Sequence, residues 1–103
     1  MPYQTLTLKD VANKTNALFE KYPVKKVAIF GSFSRNEMKR GSDIDFLIEL
    51  EDLSEPLLFV EIARKLENLL KRKIDLISIS SLEYSDEKSK ILSEAKVIYE
   101  KRH

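Results

Sequence analysis

Two runs decide how this chain folds: Val24-Lys25-Lys26-Val27-Ala28-Ile29-Phe30-Gly31-Ser32, and Asp43-Ile44-Asp45-Phe46-Leu47-Ile48-Glu49-Leu50. The first is rich in β-branched and aromatic residues over 24–30 and stops at Gly31-Ser32, so a short strand is expected to end in a sharp turn. In the second, Ile44, Phe46, Ile48 and Leu50 alternate with Asp43, Asp45 and Leu47. That period of two predicts a strand over 43–50 with an apolar face and an open face carrying the acids. Between them, residues 32–38 read as a short helical turn and 39–42 as a polar loop closing at Gly41-Ser42.

Working outward, Leu8, Val11, Ala12, Leu18 and Phe19 recur at helical spacing over 8–21. Thr7 with Asp10 three residues on resembles a capping box, and Pro23 stops the helix. After the second strand, Ser54 is a candidate cap and Pro56 fits the first turn of another helix. Its buried stripe is expected to be Leu58, Ile62, Leu66 and Leu69, with Ala63 and Leu70 beside it. A third strand is expected over 74–79, and a last helix over 86–101 burying Ile91, Leu92, Ala95, Ile98 and Tyr99. The order predicts one α/β (α+β) domain over 1–103: a small mixed sheet of about three strands flanked by about four helices.

Composition narrows the chemistry. The 103 residues contain two glycines, ten positions apart, so neither the dinucleotide G-x-G-x-x-G fingerprint nor a P-loop is possible. Cysteine is absent, and the one histidine is the last residue, which removes disulfides, thiolate zinc sites and histidine-based triads. Lys plus Arg number 18 against 17 Asp plus Glu. That balance points away from direct nucleic-acid or membrane-surface binding. No apolar run approaches a membrane span and the N-terminus lacks a signal-peptide pattern, so a cytoplasmic location is expected.

Any phosphate or metal chemistry must then use carboxylates, hydroxyls and backbone. A strand ending in Gly31-Ser32 before a helical turn presents free N–H groups that attract phosphate, and Ser32 adds a hydroxyl. Arg35 could reach a phosphate or equally pair with Asp43 or Glu37. Asp43 and Asp45 leave one face about 6.5–7 Å apart along the strand. Two like charges so placed favour a compensating cation, and an oxygen-only set suits Mg²⁺. Asp75, flanked by Ile74 and Leu76, is expected on the same open face. Lys39-Arg40 and Lys71-Arg72-Lys73 are solvated charge runs that could steer an anion or a partner. Tyr84 and Tyr99 read as packing residues.

Gly31-Ser32, ten residues, then Asp43-x-Asp45 resembles the G-S-x10-D-x-D pattern of nucleotidyltransferases of the DNA polymerase β superfamily. Chance produces that pattern in roughly one chain per thousand of this length. Arg35, Ser42 before the acid pair, Asp75 in the third-strand position and the ending Ser93 to Glu100 extend the resemblance to the minimal nucleotidyltransferase (MNT) proteins. The resemblance implies Mg²⁺-dependent transfer of AMP from ATP. Gly31 and Ser32, with Arg35 and Ser42, would hold the nucleotide, and Asp43 and Asp45 would bind Mg²⁺. Asp75 would complete the metal site or act as general base. It further implies an antitoxin of a HEPN/MNT pair, in which members of the MntA type AMPylate a tyrosine of the HEPN ribonuclease toxin.

After three strands and their helices, almost no chain is left to bind an acceptor, which favours an acceptor supplied by a partner protein. The other readings are a small-molecule transferase of the aminoglycoside type, closing its cleft as a homodimer, and an antitoxin that neutralises by binding alone. An intact acid triad argues against the last, because metal-site acids without a metal would only repel one another.

Overall fold

The computed structural model describes residues 7–31, 43–51 and 56–101. Helix α1 runs over Leu8–Glu20 and opens with the expected reciprocal cap. The Thr7 hydroxyl accepts from the Asp10 N–H, and the Asp10 carboxylate accepts from the Thr7 N–H, both at 3.1 Å. Strand β1 is Val24–Phe30, β2 is Ile44–Leu50, α2 is Pro56–Leu70 and β3 is Ile74–Ser78. A short 3-10 helix, Ile79–Tyr84, leads to α3, Lys88–Glu94, and then to β4, Lys96–Glu100. The expected helical turn over 32–38 and the Ser54 cap lie outside the described residues.

The strands form one sheet in the order β3-β2-β1-β4. Strand β1 is antiparallel to both β2 and β4, whereas β2 and β3 are parallel and joined through α2. One end of the sheet therefore gathers the C-terminus of β1 with the N-termini of β2 and β3. A register shift in β1 between Val24 and Lys26 lets Val24 and Val27, three residues apart, face the same side. There they join Ile29, Ile44, Phe46, Ile48 and Leu50 beneath Val11 and Phe19 of α1 and Ile62, Leu66 and Leu70 of α2. Thr15, buried in this layer, donates its hydroxyl to the Val11 carbonyl at 2.7 Å, so its polar atom costs little.

The other face differs from expectation in two ways. It is covered, not open: Ala28, Phe30 and Leu47 pack against Leu82 of the 3-10 helix and Ile91 of α3. The expected helix over 86–101 is also split, because Ala95 is extended (φ −65°, ψ 131°) and the remaining residues become β4. The apolar positions 91, 92, 95, 98 and 99 suit a helix. However, β1 is buried on both faces and its second edge needs hydrogen-bonding partners, and Lys96–Glu100 provides them. The sheet thus has four strands, and Phe19 meets Tyr99 of β4 with ring centroids 5.5 Å apart. Leu69 and Leu92 remain 42% and 47% exposed, and Tyr84, expected to pack, is 96% exposed.

Two features of the helix layer yield tests. Lys71 ends α2 in the left-handed region at φ 57°, its N–H bonded to the Glu67 carbonyl at 2.9 Å. Glycine adopts this conformation without the Cβ conflict. Lys71→Gly is therefore expected to raise stability by about 0.5–1 kcal/mol in thermal or urea melts. At the other end of the layer, Tyr22 donates its hydroxyl to Glu61 Oε2 at 2.6 Å, and that bond, with desolvation and the carboxylate's charge, raises the phenol pKa. A raised pKa means the contribution is complete below the ordinary phenol value near 10 and is lost as pH rises through the folded-state value. Tyr22→Phe should cost less than about 1 kcal/mol at neutral pH. Its deficit against the wild type should close above pH ~10 in denaturant titrations.

Candidate active site

The site is assembled by register at the sheet end where β1 stops. Phe30 pairs with Asp45, and Asp45 pairs on its other side with Asp75. Alternation along β2 assigns Asp45 to the face that holds Leu47 and Phe30, the smaller of the two cores. Asp43, immediately before β2, is exposed, Asp45 is half-buried and Asp75 is exposed. The register therefore places Asp45 and Asp75 side by side, with Asp43 immediately before β2 at the same sheet end. Among the described residues, however, no three acidic, histidine or cysteine side chains converge closely enough to hold a cation unaided.

Gly31 explains why the site needs glycine. Its φ is +75°, which disfavours any side chain, and a Cβ there would collide with Asp45 Oδ2 and lie 3.3 Å from Asp45 Cγ. The absent side chain makes room for a carboxylate of the next strand. The sequence pointed instead to free N–H groups of the turn that attract phosphate. Nothing in the order of residues signals the Gly31–Asp45 contact, because it depends on which residue of β2 lies beside the end of β1. Ser32, Arg35 and Ser42 of the expected nucleotide site, with Lys39-Arg40, lie outside the described residues.

The donor set fits a hard divalent cation. Asp43 and Asp45 offer carboxylate oxygens two residues apart at an exposed sheet end. Mg²⁺ characteristically takes one or two carboxylates and completes its shell with water and substrate phosphates, so it needs no three-carboxylate cage. Paired carboxylates able to hold a cation that neutralises phosphate charge are one arrangement that phosphoryl- and nucleotidyl-transfer chemistry can use.

Residues 13–103 match the family described as polymerase beta, nucleotidyltransferase. The chain belongs to this nucleotidyltransferase family. It is 42% identical over 76 residues to a provisionally named protein adenylyltransferase of Methanocaldococcus jannaschii, covering 73% of this chain and 88% of the relative. It is 37% identical over 81 residues to the protein adenylyltransferase MntA of Thermococcus cleftensis, covering 75% and 82%. Among solved structures, one provisionally described as a minimal nucleotidyltransferase superposes with a TM-score of 0.75 at 25% identity, covering 91% of this chain and 98% of that one. Two others share the fold at lower identity. A toxin–antitoxin complex with AMP-PNP gives a TM-score of 0.72 at 23% identity, covering 88% and 74%. A Shewanella oneidensis complex of a tri-AMPylated HEPN toxin with MNT antitoxin gives 0.65 at 20%, covering 92% and 74%.

The Gly31–Asp45 contact makes a testable demand. Gly31→Ala is expected to lose about 1–2 kcal/mol of stability from its left-handed backbone. By displacing the Asp45 carboxylate it should slow nucleotidyl transfer about 100-fold, a loss that exceeds any effect of partial unfolding. Parallel melting and label-transfer measurements separate the two effects.

Proposed function

We propose that this chain transfers AMP from ATP to a hydroxyl, in the first instance a tyrosine, of a HEPN-domain toxin in the cytoplasm, and acts as that toxin's antitoxin. The observation that carries the reading is the Asp43/Asp45 pair at the sheet end, with Gly31 fitted against Asp45. The relatives named protein adenylyltransferase support AMP as the transferred group. The solved toxin–antitoxin complexes of the same fold support the partner.

In this reading Gly31 and Ser32 receive the triphosphate at the β1 side, with Arg35 and Ser42 as further nucleotide contacts. Asp43 and Asp45 would hold Mg²⁺, which when bound neutralises phosphate charge and polarises the α-phosphate. Asp75, one strand further on, either adds a ligand or accepts the proton of the attacking hydroxyl on its carboxylate oxygen. The acceptor oxygen forms a bond to the α-phosphorus as the α–β bridging bond breaks, and pyrophosphate leaves. The tri-AMPylated toxin of a structural neighbour supports repeated transfer.

The test is a double substitution, Asp43→Asn with Asp45→Asn. Label transfer from ATP labelled at the α-phosphate to a co-purified HEPN toxin should fall at least about 100-fold, while the complex stays intact on gel filtration. If the double variant still silences the toxin fully, neutralisation works through binding and the catalytic reading is wrong.

A further inference from the structure

We propose that the turn Lys71–Lys73 forms an acceptor-side phosphate subsite that holds the phosphodiester of an AMP already attached to the acceptor, so that a second and third AMP can be added. The inference rests on the AMP-transfer reading above and extends it to repeated transfer.

Sheet order supplies the first argument. Gly31 lies on the β1 side of the β2 acids, whereas Lys71–Lys73 leads into β3 on the opposite side, next to Asp75. If the triphosphate enters over Gly31, the acceptor hydroxyl approaches from the β3 side, and the basic turn borders the acceptor and not the ATP tail. The turn is also held in place. The Ile44 N–H donates to the Lys73 carbonyl at 3.1 Å, which ties Lys73 to the residue following Asp43. Lys73 stands immediately before β3 and precedes Asp75 by two residues, about 6.5–7 Å if the chain there is extended, at the same sheet end.

Charge supplies the second argument. A tyrosine brings no charge to the site, but an acceptor already carrying AMP brings a phosphodiester anion beside three carboxylates, which repel it. Cations on the acceptor side offset that repulsion. Lys71 and Lys73 are both exposed, and among the described residues neither side chain is engaged in a hydrogen bond or ion pair. Backbone conformation adds a third. Lys71 occupies a left-handed position, φ 57°, in which glycine would be less strained. A lysine kept there at a cost to stability is consistent with a side chain that has work at the site.

The experiment is intact-mass analysis of a HEPN toxin co-expressed with this chain, counting AMP groups per toxin over time for the wild type, for Lys71→Gly with Lys73→Ala, and for Lys71→Arg with Lys73→Arg. The expected result is a fall of at least fivefold in the ratio of doubly and triply modified to singly modified toxin in the Gly/Ala variant. The Arg/Arg variant should retain the wild-type ratio, because it keeps both charges. Since Lys71→Gly relieves backbone strain, a melting measurement on the same samples excludes unfolding as the cause. An unchanged ratio overturns the subsite, as does a first addition that slows as much as the later ones, which would assign the lysines to ATP or to docking. Wild-type transfer that stops at one AMP overturns the subsite alone. A wild type that transfers no AMP overturns the transferase reading and the subsite together.

Discussion

The antiparallel pairing of β1 with β2 is the constraint on which the rest of this structure depends. Its register sets Phe30 beside Asp45, so the first residue beyond β1 must lie against the Asp45 carboxylate. Only a residue without a Cβ fits, and only one comfortable at positive φ can make the turn. The same register stacks Val27 on Ile48 and Ile29 on Phe46, side chains with no exposed surface. A slip of one residue would bring the acids to the α1–α2 face and Phe46 out of it. Core and site are thus fixed by one set of backbone hydrogen bonds, and the apolar residues that stabilise the pairing also hold the carboxylates in place.

Burial on both faces is supplied by the segment after β3. With α1 and α2 on one side, a three-stranded sheet would leave Ala28, Phe30 and Leu47 wet and β1 unpaired along one edge. The segment after β3 relieves both problems: Leu82 and Ile91 cover the second face, and Lys96–Glu100 closes the edge. The cover ends before the sheet end that carries Asp43 and Asp75, both exposed. Asp45 is thus half-buried beside acids that remain open to solvent.

Among the described residues, carboxylates from β2 and β3 gather at one end of the sheet, and Lys71–Lys73 follow α2 just before β3. In the proposed reading, nucleotide phosphates held on the β1 side and an acceptor approaching from the β3 side would meet different surroundings.

Much of this was legible in the residues themselves. The period-two alternation of 44–50, the stop of β1 at Gly31, the Thr7–Asp10 cap and the helical stripe through Ile62 and Leu66 are local signals that the structure follows, although Leu70 and not Leu69 completes the buried side. The D-x-D spacing likewise assigned Asp43 and Asp45 to one face, since a strand alternates whatever surrounds it. The residues pointed to helix for 96–100, wrongly, because Ile98 and Tyr99 continue the helical stripe and no glycine or proline marks the break at Ala95. The vacant edge of β1 made the segment a strand. The residues alone also could not show that Gly31 accommodates Asp45, that Leu47's face is covered or that Lys71 is left-handed. Each of these depends on which strand lies beside which, and that is settled only when the hydrogen-bonding edges and apolar faces of the whole chain are satisfied together.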